Sequence, residues 1–220
     1  MSKKVMAMIM AAMISLSLAG CGSNNDNNTN SSTKDTVIEE EYENTTGKWS
    51  RDFTFKDFTD TAENLATRIK KQTKEYGLEY TEDEVVKDDN NKTISVENKE
   101  AEKNKLEGMY FSRILYGENL SAGKIKMKIL LNFDGEKAIK DNDFDLGSTS
   151  VAKYSAIITG ANARNYRRIN TKILDILNSD SGEGYFKNEI EGLTEEITVT
   201  KNYIVYSVET TKYEFKKAEQ

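Results

Sequence analysis

The sequence predicts an α+β fold: an antiparallel β-sheet with helices packed on one side, preceded by a signal peptide and a disordered tether. Two stretches of helical period and one stretch of strict alternation carry that reading. Phe55, Phe58, Ala62, Leu65, Ile69 and Tyr76 recur every three or four residues, as do Val151, Tyr154, Ile158, Ala161, Ile169, Ile173 and Leu177. Between them, Ile125, Met127 and Ile129 alternate with Lys124, Lys126 and Lys128, the signature of a strand with one buried face. Strand and helix do not alternate regularly enough for a parallel, doubly wound sheet.

The first helix starts at Thr54, a capping residue with Asp57 three positions on, and Phe53 is placed to staple against Phe58. Gly77 is its stop. Strands are expected at 92–97, 106–116 and 124–134. Asp134-Gly135 is a hairpin signal, so 136–139 is expected to pair back on the third of these. The helical stretch 150–178 is expected to split near Gly160-Ala161-Asn162. After it come a short helix at 185–190 and two strands, 195–200 and 203–213, turning at Lys201-Asn202. Tyr203, Tyr206, Tyr213 and Phe215 are read as core and its margin, with an edge for strand addition as the alternative.

Ahead of this domain, Met1-Ser2-Lys3-Lys4 is a short positive head, and Val5 to Ala19 is an apolar run broken only by Ser15 and Ser17. That is the layout of a secretory signal peptide. At about 15 residues, roughly 22 Å as a helix, the run falls short of the about 20 residues a span requires. It ends in Leu18-Ala19-Gly20-Cys21, an apolar residue, two small ones and a cysteine. This resembles the lipobox of bacterial lipoproteins. The resemblance covers the first tenth of the chain and implies a diacylglyceryl thioether on Cys21, cleavage before it, and membrane attachment through the lipid. The two acyl chains of the diacylglyceryl group turn marginal binding into stable anchoring, and acylation of the new amino group would add a third.

The expected organisation is thus a lipoprotein signal peptide at 1–20, lipidated Cys21 and a tether at 21–47, and one α+β domain at 48–220. The tether is rich in Asn, Ser and Thr and then carries Glu39-Glu40-Glu41-Tyr42-Glu43. It lacks the apolar content to fold alone. As a flexible chain it reaches about 25 to 30 Å. Cys21 is the one cysteine, so no internal disulfide is available. Abundant Lys and Asn with no His or Pro suits a low-GC Gram-positive source, which places the domain on the outer face of the cytoplasmic membrane.

Composition also narrows the chemistry. The formal charge is −6, and −8 once Lys3 and Lys4 are removed with the signal peptide, which disfavours nucleic acid as a partner. Without histidine there is no Ser-His-Asp triad, imidazole base or His-ligated zinc, and the single thiol is at the lipid. A carboxylate-dependent hydrolase remains as one alternative and the solute-binding lipoprotein of a transporter as another. No cofactor or metal is expected. Asp141, Asp143 and Asp145 have the spacing that opens a calcium loop, but Leu146 stands where the sharp-turn glycine belongs and Ala152 where the bidentate Glu belongs, so a polar loop is expected. Half of the six arginines, Arg164, Arg167 and Arg168, share one face if they lie on one helix, and they are the candidate contacts. A solvated face paired with acidic neighbours is the plainer reading of them. The function expected is a non-catalytic module that binds another envelope component, a protein.

Overall fold

The computed structural model describes residues 36–38, 47–86 and 89–216, all within one compact unit, Lys34–Gln220. The signal peptide, Cys21 and the Glu39–Glu43 run lie outside the described residues. Within the stretch read as tether, Thr36–Ile38 form a short strand, β1, built from three β-branched residues.

The remaining elements follow in order: helix α1 (Phe55–Glu75), strands β2 (Thr81–Val86), β3 (Asn90–Glu97), β4 (Lys105–Tyr116) and β5 (Ala122–Asn132), helices α2 (Gly135–Asp141), α3 (Ser150–Thr159) and α4 (Arg167–Leu177), and strands β6 (Gly184–Ile190), β7 (Leu193–Val199), β8 (Tyr203–Glu209) and β9 (Tyr213–Glu214). The strands form one sheet in the order β1-β6-β7-β8-β5-β4-β3-β2, with β9 pairing the start of β5. Every pairing is antiparallel except β1 with β6, which is parallel.

The register explains which face is covered. Met109, Ile129, Tyr206, Ile197 and Phe186 stand in one row across β4, β5, β8, β7 and β6, and all five are buried. Against this face pack Phe58, Leu65 and Ile69 of α1, Val151, Tyr154 and Ile158 of α3, and Ile169, Ile173 and Ile176 of α4. The α+β class with helices on one side is therefore the architecture of the described domain. Trp49, ahead of α1, is 1% exposed and donates its indole N–H to the Ile158 carbonyl at 2.9 Å. At the start of α1, Thr54 accepts from the Asp57 amide, and the Phe53 and Phe58 rings meet edge to face at 5.9 Å.

Two expected elements differ in kind. Residues 135–141 form α2 rather than a returning strand: Asp134 accepts from the Lys137 amide as a helix cap. Gly135 lies so close to Lys201 that a Cβ would sit 2.7 Å from its Cα. The glycine thus serves a close contact with the β7–β8 turn. Residues 184–190 form β6 rather than a short helix, because Phe186 and Ile190 bury on one face while Lys187 points away. β2 has no counterpart in the sequence pattern. All six of its residues are exposed, so it carries no burial pattern and owes its existence to pairing with β3.

The other face of the sheet carries Lys124, Lys126 and Lys128 along β5, with Ser207 and Glu209 of β8 beside them in register. No described helix is long and apolar enough to cross a membrane.

Candidate binding cleft

The three arginines do not share a helix face. Gly160 ends α3, the chain runs through a loop, and α4 begins only at Arg167, so Arg164 belongs to the loop. Its guanidinium turns inward and grips Glu195 with both terminal nitrogens, Nη2 donating to Oε2 at 2.7 Å and Nη1 to Oε1. Glu195 occupies an inward position of β7 between Leu193 and Ile197, and its side chain is fully shut from solvent. Asn188 of β6 donates to the same carboxylate at 2.9 Å. The Arg164 guanidinium also lies 5.1 Å from the centre of the Tyr166 ring, and the Tyr166 and Ser155 hydroxyls are 2.7 Å apart.

Electrostatics follow from that packing. Burial pushes the Glu195 carboxyl up, but the Arg164 hydrogen bonds and charge outweigh it, with help from Asn188, and the group stays below its ordinary 4.5. Burial lowers Arg164, and Glu195 more than reverses this. Tyr206, completely buried, approaches the same carboxylate without meeting hydrogen-bond geometry, and burial followed by the Glu195 charge raises its hydroxyl well above 10. Glu195 is ionised, neutralised and dry, an arrangement suited to holding a loop against a sheet and not to accepting a substrate proton.

Arg167 and Arg168 are exposed in the first turn of α4. Tyr166 supplies no side-chain cap there, and the Arg167 amide is taken by Asn165 Oδ1 at 2.9 Å. Cations at this end oppose the helix dipole, an arrangement that costs about 0.3 to 1 kcal/mol each. Two clefts meet at these residues. One of 790 Å³ is lined by Arg164, Arg167 and Arg168 together with Glu189, Ile190 and Glu191. A second, of 590 Å³, shares Arg164, Asn165, Arg167 and Thr171 with the first and is also lined by Asp143 and Asp145.

The acidic segments that line the clefts are held in place. The β6–β7 hairpin turns through Glu191 and Gly192, both at positive φ. Gly192 packs so tightly that a Cβ would lie 2.3 Å from Ser50 Oγ. The Trp49 amide donates to the Glu191 carbonyl at 2.9 Å, and the Lys48 amide reaches the Glu191 carboxylate. In the second cleft, Asp145 Oδ1 accepts from the Gly147 amide at 2.9 Å and from Asn170 at 3.1 Å, while nearby Asp141 pairs with Lys137. The Asp141–Asp145 stretch is thus the capped entry to a 3-10 turn, and no described group of three or more acidic, histidine or cysteine side chains gathers around a common point.

The late aromatics do not form an edge for strand addition. β8 lies inside the sheet between β7 and β5, Tyr206 is core, and Tyr213 packs on Phe53 at 4.7 Å. The residue that sequence reasoning missed is Glu195. Its signal was present, a glutamate at an inward position of Leu193-Thr194-Glu195-Glu196-Ile197, where an apolar residue belongs.

Comparison with protein families, with curated proteins and with solved structures finds no match to this chain.

Proposed function

We propose that the chain is a lipid-anchored lipoprotein on the outer face of the cytoplasmic membrane of a Gram-positive bacterium, whose domain is a non-catalytic module that binds another envelope component, a protein. The observation that carries the location is Leu18-Ala19-Gly20-Cys21 at the end of an apolar run headed by Lys3 and Lys4. Support for binding comes from the joined clefts at Arg164 and Arg167, rigidly walled and lined by side chains that recognise charge. The described strands join one sheet, where a solute-binding lipoprotein of a transporter would be expected to have two lobes.

In-cell crosslinking of the anchored protein, followed by mass spectrometry, tests this reading. Reproducible capture of one envelope protein is expected. Background alone from cells in which the protein is membrane-bound would overturn the protein-binding assignment.

A further inference from the structure

Among the described residues β2 is an end strand of the sheet, paired with β3 on one side and with no strand on the other. Its six residues keep unbroken register and are all exposed, and Val85 and Val86 reach 58% and 72% exposure. The direction of its free backbone groups follows from the register. Residues of an antiparallel strand turn their N–H and C=O to one neighbour and then the other in alternation. Just past β3, the Asn98 amide donates to the Glu107 carbonyl of β4 at 2.8 Å, so Val96, Ile94 and Lys92 bond to β4 while Ser95, Thr93 and Asn91 bond to β2. The partners of these three on β2 are Thr81, Asp83 and Val85. Glu82, Glu84 and Val86 therefore turn their N–H and C=O away from the sheet, a template for a further strand.

Charge decides what that strand can be. The side chains of Glu82 and Glu84 fall on the helix-covered face, where Lys70 of α1 reaches Glu82 at 3.0 Å, and Arg113 and Asn90 reach Glu84 at 3.6 and 2.9 Å. Asp83 and Val85 fall on the open face, with Asp83 in register with Thr93, Ser112 and Lys126. Among the described residues the Asp83 carboxylate has no ion pair or hydrogen bond. Antiparallel pairing with a second β2 would set Glu82, Asp83 or Glu84 opposite its own copy, where like charges destabilise, or, centred on Val85, would keep only Glu84–Val86 in contact. The complement is a different strand, with a basic residue opposite Asp83 and an apolar residue opposite Val85, two positions apart on one face.

Resting on the binding-module reading, we infer that the free edge of β2 takes an extended segment of the partner protein as an added antiparallel strand of N-to-C pattern apolar-x-basic. Main-chain hydrogen bonds hold the segment, and Asp83 selects its charge and rejects acidic strands.

The test uses the full chain in detergent and the fluorescein-labelled peptide Thr-Val-Thr-Lys-Thr-Thr, whose Val and Lys meet Val85 and Asp83 in antiparallel register, beside a counterpart with Glu in place of Lys. Binding is read by fluorescence anisotropy at low salt. The Lys peptide is expected to bind at least about tenfold more tightly, and Asp83→Lys should reverse that preference at an unchanged melting temperature. N-methylation of the third peptide residue, which bonds to Glu84, should abolish binding, whereas N-methylation of the fourth, whose N–H points away, should preserve it. Equal binding of the two peptides, binding of neither, a preference that survives Asp83→Lys, or indifference to the N-methyl position overturns the inference. So does a stable dimer that Val85→Lys dissolves, because a second copy then occupies the edge. If the peptides fail while in-cell crosslinking still captures an envelope protein, the edge assignment falls and the binding-module reading stands. If crosslinking captures nothing, the broader reading falls as well.

Discussion

The two faces of the sheet treat charge in opposite ways. On the covered face, Glu195 is wholly buried and held by both terminal nitrogens of Arg164, with Asn188 as a further donor. On the open face, Glu209 is 29% exposed and receives Lys124 at 2.8 Å and Lys126 at 3.1 Å. Glu195 has three nitrogens on its carboxylate and Glu209 has two, yet it is the surroundings that decide what losing them costs. An open-face charge can turn to water, so its partner adds little. A covered-face charge has no such exit, and removal of its partner leaves it stranded. The pair therefore ties the loop before α4 to the sheet and sets where Arg167 stands.

The largest effect should follow from stranding Glu195. Arg164→Ala is expected to destabilise the domain by about 3 to 5 kcal/mol in urea unfolding. Replacing both partners by apolar residues, Arg164→Met with Glu195→Leu, should recover most of that loss. If the single variant costs no more than an open-face substitution, the contrast between the faces fails.

Alkaline titration probes the covered side next. Burial raises Tyr154 and Tyr213 to about 12 from an ordinary 10, outweighing the hydrogen bonds of Thr73 and Thr211. The unfolded chain then loses these protons first. Their contribution is fully present below pH 10 and is lost as pH rises from there to about 12. Unfolding midpoints measured from pH 9 to 12 should decline across that window.

Tyr206→Phe removes a buried hydroxyl that lacks a hydrogen-bond partner and should change stability by less than about 1 kcal/mol in either direction. Smallest of all is Lys126→Ala, expected to cost about 0 to 1 kcal/mol because Lys124 still reaches Glu209, with the effect shrinking as salt is added. A larger, salt-insensitive loss would mean that the open face is drier than its exposure implies.

What the sequence made legible was what periodicity encodes. α1 and its Thr54 cap, the alternation of β5 and the break between α3 and α4 each follow from residues near in sequence. The misread elements are those decided by distant contacts. Asp134-Gly135 signals a hairpin locally, but contact with Lys201 makes it a helix start. β6 is a strand because β7 pairs with it, and β2 exists only through β3. The same limit applied at the site. The arginine cluster was visible as composition, whereas the separation of Arg164 depends on Glu195, 31 residues away on β7.

The most direct test of the account is where the protein goes. Wild type and Cys21→Ala are expressed in a Gram-positive host and the cells are fractionated. The account predicts wild type in the membrane fraction, lipid-modified, and the variant released from the membrane. Wild type in the soluble fraction, or membrane association that does not depend on Cys21, would contradict it.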